Sequence, residues 1–252
     1  MFTGEDREAL RARLLETARS DRRIAGAAVT GSAARDGEDR WSDIDLMLGL
    51  AAADDLAAVM ADWTGAMYGE HGAAHHLDVS RGATTYRVFL LASTLQVDIA
   101  FAVPGDFRAT SPTFRLVFGQ AGEPDFTAPP RPAGLIGLAW LYALHARSSL
   151  ARGRLWQAEY MISGMREHVL ALMCLRHGTN PHQGRGLDDL PDEALGSLTG
   201  ALPGSVTAPE LWRAFGVVSR ALISETLLAD ADLAGRLAAP LRELASDPGP
   251  AG

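Results

Sequence analysis

The sequence predicts an α+β fold, a small mixed β-sheet with flanking helices followed by an all-α helical bundle. Three observations lead there. Residues 24–103 carry short apolar runs of strand length, broken by turn residues and one helical stretch. From about residue 133 onward the apolar spacing is helical. Between these parts, 104–132 is proline-rich and has little periodicity, which predicts a connector with one short element, FRLVF. The reading divides the chain into a first domain, 1–110, a connector, 111–132, a helical domain, 133–246, and a disordered tail, 247–252. A chain of 252 residues is long enough for one large domain or two modest ones.

The elements follow in order. Residues 5–20 predict a helix, because Leu10, Leu14, Leu15 and Ala18 fall on one face. IAGAAVTG, 24–31, predicts a short buried strand ending at Gly31, and 33–41 a polar turn. SDIDLMLGL, 42–50, predicts the next strand, and 53–70 a helix whose acidic start suits the helix dipole. HHLDVS, 75–80, predicts a third strand. TTYRVFLLA, 84–92, and LQVDIAFAV, 95–103, predict two more, joined by a tight turn at Ser93-Thr94. In the second half one helix covers 133–151 and another 153–177, ended by Gly178. The loop TNPHQGRGLDDLP follows, and two or three helices fill 191–246.

Composition narrows the function. Asp and Glu number 31 against 23 basic residues, a net charge of −8, which argues against a nucleic-acid surface and suits a cationic small molecule. Every basic residue is arginine. Any phosphate contact therefore comes from Arg, backbone N–H or a hydroxyl. A single cysteine, Cys174, excludes a disulfide framework and a Cys-rich zinc site, and its place in VLALMCLRHG predicts a buried small hydrophobe. The charged N-terminus lacks an apolar signal core, and no apolar run reaches ~18 residues. These features predict a cytoplasmic protein without a membrane partner.

The chemistry is concentrated in GSAARDGEDRWSDIDLML, residues 31–48. In a strand, i and i+2 share a face, so Asp43 and Asp45 project together while Ile44 and Leu46 point into the core. In LQVDIAFAV, Leu95, Val97, Ile99 and Phe101 share one face and Asp98 lies on the other, between Gln96 and Ala100. If the strands are neighbours, three carboxylates converge, and their repulsion raises pKa values until a divalent cation removes it. Two metals about 4 Å apart can activate a hydroxyl and stabilise a leaving pyrophosphate. Gly31 lets backbone approach a triphosphate, Ser32 offers a hydroxyl and an N–H, and Arg35 and Ser42 could add contacts. The residues after Gly31 are placed to open a short helix toward the phosphates. Each part alone is weak; their order along the chain is the specific signal.

That order, G-S, ten residues, D-x-D on a strand, then a later strand Asp, resembles the DNA polymerase β-like nucleotidyltransferase superfamily. The stretch 31–48 looks especially like the small bacterial and antibiotic nucleotidyltransferases, where G-S-x-A-R-G precedes S-D-I-D-L. Here Asp36 stands where a Gly often follows the Arg. The motif match covers roughly residues 24–103. The resemblance implies that Asp43, Asp45 and Asp98 bind the metals, that Gly31 and Ser32 hold the triphosphate, and that the cofactors are Mg²⁺, two ions, with ATP or another NTP. The helical half is more loosely similar to the C-terminal bundles of aminoglycoside and lincosamide nucleotidyltransferases. In that half Glu159, Ser163 and Arg166 fall at i, i+4 and i+7 on one helix face. The resemblance implies Glu159 as the general base for an acceptor hydroxyl, with Arg166 reaching the triphosphate.

Other residues carry less. His75 and His76 are adjacent in a strand and point to opposite faces, which is poor for chelating one ion. Arg176 and His182 are spaced as in the ribonuclease motif of HEPN domains, but they span a helix end and a Gly/Pro loop. Gly184 and Gly186 follow no strand, so they form no dinucleotide fingerprint. Three functions stay open: transfer of AMP or another nucleotide to a small-molecule hydroxyl such as that of an aminoglycoside- or lincosamide-like antibiotic; nucleotidylation of a partner protein, antitoxin-like; and a degenerate, non-catalytic nucleotide-binding module. The first leads, with a small-molecule acceptor and no nucleic acid as partner, in a monomer or homodimer.

Overall fold

A computed structural model describes residues 1–82 and 84–246, so the predicted tail, 247–252, lies outside the described residues. The chain forms two compact units, Met1–Thr127 and a second that begins at Ala128. The first is a six-stranded mixed sheet with helices, and the second is helical, in line with the predicted α+β class.

The first unit opens with helix α1, Gly4–Ser20. Thr3 caps it reciprocally: the Thr3 hydroxyl accepts from the Asp6 N–H at 3.1 Å, and the Asp6 carboxylate accepts from the Thr3 N–H at 2.9 Å. Its buried face holds Leu10, Leu14 and Ala18 as predicted, with Arg7 one turn before. Strands β1, Ile24–Thr30, and β2, Ile44–Leu50, pair antiparallel. Helix α2, Leu56–Gly69, follows, and then β3, Ala73–Arg81, β4, Thr84–Leu91, and β5, Gln96–Ala102. The β4–β5 turn is where the sequence places it, and the Thr94 N–H donates to the Leu91 carbonyl at 2.9 Å.

FRLVF is a strand of this sheet, β6, Phe114–Phe118, and pairs antiparallel with β1. From sequence alone it falls in the 111–132 connector, because its partner lies more than eighty residues earlier and proline flanks it. The strand order is β3-β4-β5-β2-β1-β6, with β2 and β5 parallel and the other neighbours antiparallel.

The sheet has two unlike faces. Ile44, Leu46 and Leu48 of β2 join Val97, Ile99 and Phe101 of β5 and Phe89 of β4 in one core with residues of α1 and α2. On the other face a smaller cluster of Ala28, Met47, Ala100 and Ala102 packs with Phe107. Gly26 and Gly49 are cross-strand partners beneath that ring, and a Cβ on either would collide with it.

The second unit packs α3, Pro132–Ala151, α4, Leu155–His177, α5, Asp192–Gly196, α6, Ala208–Ala229, and α7, Ala231–Leu244. Its core includes Ile136, Ile162, Val169, Phe215 and the fully buried Cys174. Gly178 ends α4 in the left-handed region, at φ 71°, and the Thr179 N–H closes the turn on the Cys174 carbonyl at 2.9 Å. Among the described residues, no helix is long and apolar enough to cross a membrane.

Candidate active site

The parallel pairing of β2 with β5 sets Asp45 directly opposite Asp98. Asp43 sits two residues before Asp45, at the entry to β2, and reaches the same place. One carboxylate oxygen from each of the three lies within 4.8 Å of the others. All three are half-buried on the face opposite the α1–α2 core, as alternation along the strands requires. Such a donor set, oxygen only and convergent, suits a hard divalent cation.

Two features tune the cluster. Burial, with the nearby Asp43 charge adding to it, pushes the Asp98 carboxyl up to about 6, and a hydrogen bond from Gln96 opposes the rise. Gln96 Nε2 donates to Asp98 at 3.0 Å and to Asp43 at 3.4 Å, so one neutral amide spans two of the three acids. Gln96 is not among the sequence-predicted site residues, although its parity with Asp98 places it on the same face.

The turn after β1 is shaped around the same acids. Gly31 has φ +65°, and a Cβ there would run into the Asp45 carboxylate. Both facts demand glycine. The predicted short helix is a single 3-10 segment, Gly31–Arg35. Asp36 follows it in the left-handed region, at φ 54° and ψ 30°. The backbone conformation there favours Gly, and Asp is one of the few L residues that tolerate it. Arg115 of β6 holds the segment from the side, donating to the Ala33 carbonyl at 2.8 Å.

The loop leading to Asp43 is tied down by α1. The guanidinium of Arg7, 4% exposed, donates to the carbonyls of Asp39 and Ser42, and its Nε lies 3.0 Å from Glu38. Arg11 adds a second contact to Glu38 at 2.6 Å. Ser42 closes the loop on itself: its hydroxyl accepts from the Asp39 N–H at 2.9 Å and donates to the Asp39 carboxylate at 3.1 Å. Arg7 and Arg115 are positioning residues that the sequence did not disclose. Arg7 lies on an otherwise apolar helix face and Arg115 in a strand read as connector. Ser32 is half-buried in the 3-10 segment, and Arg35 is exposed at its end.

The helical unit holds the other predicted residues. Glu159, Ser163 and Arg166 share one face of α4. Arg166 donates to the Ser163 hydroxyl at 2.9 Å and to the Ala201 carbonyl at 3.0 Å. Burial lowers its pKa and the Glu159 charge opposes that. Ser163 and Arg166 line a cavity of about 280 Å³ with Glu167, Leu170, Gln183 and Leu187. Arg176, of the Arg176–His182 pair, is bound to Glu225 by Nε and Nη2 at 2.9 and 2.8 Å, a structural role.

No family model matches the chain, and no curated protein matches it. Among solved structures it is similar to an aminoglycoside 6-adenyltransferase from Bacillus subtilis, with 10% identity and a TM-score of 0.40, over 98% of this chain and 100% of that one.

Proposed function

We propose that this protein is a Mg²⁺-dependent nucleotidyltransferase that moves a nucleoside monophosphate, AMP from ATP, onto a hydroxyl of a small molecule. An aminoglycoside- or lincosamide-like antibiotic is the proposed acceptor class, and the acidic chain suits a cationic one. One observation carries the reading. Three carboxylates meet within 4.8 Å against a glycine whose missing side chain leaves room for them. Such a cluster is unfavourable unless cations occupy it.

In this reading Asp43, Asp45 and Asp98 hold the ions. Bound Mg²⁺ supplies a more acidic acceptor hydroxyl and charge neutralisation on the leaving pyrophosphate. Gly31 and Ser32 receive the triphosphate through backbone N–H and hydroxyl, with Arg35, Ser42 and Arg166 as further contacts. Glu159 takes the acceptor proton, which requires hydrogen-bond reach to that hydroxyl. The acceptor oxygen forms its bond to the α-phosphorus as the bond from that phosphorus to the bridging oxygen breaks, and pyrophosphate leaves. Positioning and charge neutralisation supply most of the rate. The cytoplasm, which holds the NTP pool, is the proposed compartment.

The test is mass spectrometry of acceptors incubated with protein, Mg²⁺, an NTP mixture and a panel of aminoglycosides and lincosamides, with Asp43→Asn as control. An acceptor heavier by one nucleoside monophosphate, absent in the control, is the expected result. A mass gain on a co-purifying protein instead would move the acceptor to the protein class. Failure to bind Mg²⁺–ATP by calorimetry would overturn the reading and leave a non-catalytic module.

A further inference from the structure

The cavity of about 280 Å³ in the helical unit is built by α4 and the loop that follows it. Leu170 and Leu187 give it an apolar lining and pack against the unit's core. Of its polar residues, Ser163 and Arg166 are half-buried, and Glu167 and Gln183 are exposed. The loop is closed on itself. The Gly186 N–H donates to the Asn180 carbonyl at 3.0 Å, and the His182 N–H donates to the Asn180 side-chain oxygen at 3.0 Å. A Cβ at Gly186 would strike the Asn180 backbone. This closure carries Gln183 in the left-handed region, at φ 53°, which a long side chain rarely adopts. Strain of this kind persists where the surroundings fix it, and it clusters at ligand sites.

The cavity is lined by one charge of each sign, and neither is paired. Among the described residues, Arg166 and Glu167 form no salt bridge with each other or with any other group. The acceptors of Arg166 are the Ser163 hydroxyl and the Ala201 carbonyl. Both are neutral, and they use only part of the guanidinium's donor set. Burial lowers the Arg166 pKa, so the cation bears a desolvation cost, which the Glu159 charge opposes without a salt bridge. Glu167 acts on His168, but burial pulls that imidazole toward its neutral form. The Ser163 hydroxyl accepts from Arg166 and keeps its own proton to donate.

We propose that this cavity binds a small α-amino acid with an apolar side chain, its carboxylate on Arg166 and Ser163, its ammonium on Glu167 and its side chain against Leu170 and Leu187. Charge complementarity selects the ligand. A plain anion would meet Glu167 beside the guanidinium that draws it, and a plain amine would meet Arg166. A zwitterion answers both charges at once, with a charge-assisted hydrogen bond at each end. Size limits it further. Ligand pockets usually run from about 300 to 1,000 Å³, so a cavity of about 280 Å³ takes a small molecule. The leucine lining favours an aliphatic or aromatic side chain over a polar one. Arg166 is the one residue shared with the triphosphate contacts proposed above. The site is tested without metal or nucleotide, so its failure and that of the reaction are read separately.

Ligand-observed NMR on the full chain, with L-leucine, L-methionine and L-phenylalanine as probes, gives the first readout. At least one of them is expected to bind with a millimolar or tighter Kd. Its analogues lacking the ammonium or the carboxylate are expected to bind about tenfold more weakly, the scale of one charge-assisted hydrogen bond. Glu167→Gln is expected to weaken the amino acid by about the same factor and to leave the deaminated carboxylate unchanged or tighter. Glu167 is exposed, so this variant keeps the fold. Arg166→Gln is expected to abolish binding. Its guanidinium also holds the Ala201 carbonyl, so Glu167→Gln decides the matter if that variant does not fold. No binding by any of the three probes would overturn the proposal. So would equal binding of the amino acid and its deaminated carboxylate, or an amino-acid affinity untouched by Glu167→Gln.

Discussion

Asp98 and Glu225 are both acids removed from bulk water, and the protein treats them in opposite ways. Glu225, 5% exposed, is gripped by two nitrogens of Arg176 at 2.8 and 2.9 Å. Asp98 meets a neutral amide and two further carboxylates, and burial pushes its carboxyl up to about 6. A compensated acid is part of the architecture. An acid held among other acids costs stability, and such a cost persists where a ligand relieves it. The difference separates a structural ion pair from a cluster of acids that could hold a cation.

The strongest break of this comparison is Asp98→Asn. On the proposed function, nucleotidyl transfer is expected to fall about a hundred- to a thousandfold, as when a group that stabilises transition-state charge is removed. The melting temperature of the metal-free protein is expected to hold or rise, because a repelling charge is gone. A fall of several degrees in a thermal melt would instead make Asp98 a structural residue.

Arg176→Met should do the reverse. Glu225 loses its partner while buried, and breaking a buried pair costs several kcal/mol. Because the guanidinium keeps about a third of its surface in water, the expected loss is smaller, about 2–3 kcal/mol in urea unfolding. The folded fraction should keep its activity. An unchanged unfolding midpoint would show that the pair contributes nothing.

Gly31→Ala tests how closely backbone and acid are fitted. The left-handed conformation alone costs an L residue about 1–2 kcal/mol. The new methyl must also displace the Asp45 carboxylate. Mg²⁺ affinity, read by titration calorimetry, is expected to fall more steeply than stability. Equal affinity in the variant would separate the turn from the carboxylate cluster.

The smallest effect is on pH. The raised Asp98 carboxyl binds its proton more tightly in the folded protein than in the unfolded chain. The metal-free fold therefore gains stability as pH falls from above 6 toward the ordinary 3.8, and loses it as pH rises through about 6. Mg²⁺ competes with that proton, so its affinity should weaken as pH drops through the same window. Asp98→Asn should flatten the stability profile there. A wild-type profile that is flat between pH 4 and 7 would place the Asp98 carboxyl at its ordinary value.

Much of the candidate site was legible because strand parity is rigid. Once Ile44 and Leu46 are assigned to a core, Asp43 and Asp45 have one direction left, and the same holds for Asp98 beside Val97 and Ile99. Gln96 could have been found by the same count. Arg7 and Arg115 could not. Each acts through backbone carbonyls at least 32 residues away in sequence, and no local pattern encodes such a contact. Helix α4 marks the other limit: spacing aligns Glu159, Ser163 and Arg166 on a face, but a helix face names no partner.

By itself, then, the sequence determined the α+β class, the paired character of Asp43 and Asp45, the need for glycine at a turn, and the helix and strand order through residue 103. These depend on short-range periodicity and on backbone sterics, which each stretch carries within itself. Only the tertiary structure decided that β2 lies beside β5, which converts a D-x-D and a distant Asp into one cluster within 4.8 Å. It alone brought FRLVF into the sheet and left β3 as an open edge. Strand neighbourhood is a long-range choice, settled by which apolar faces share a core, and a linear chain does not display it.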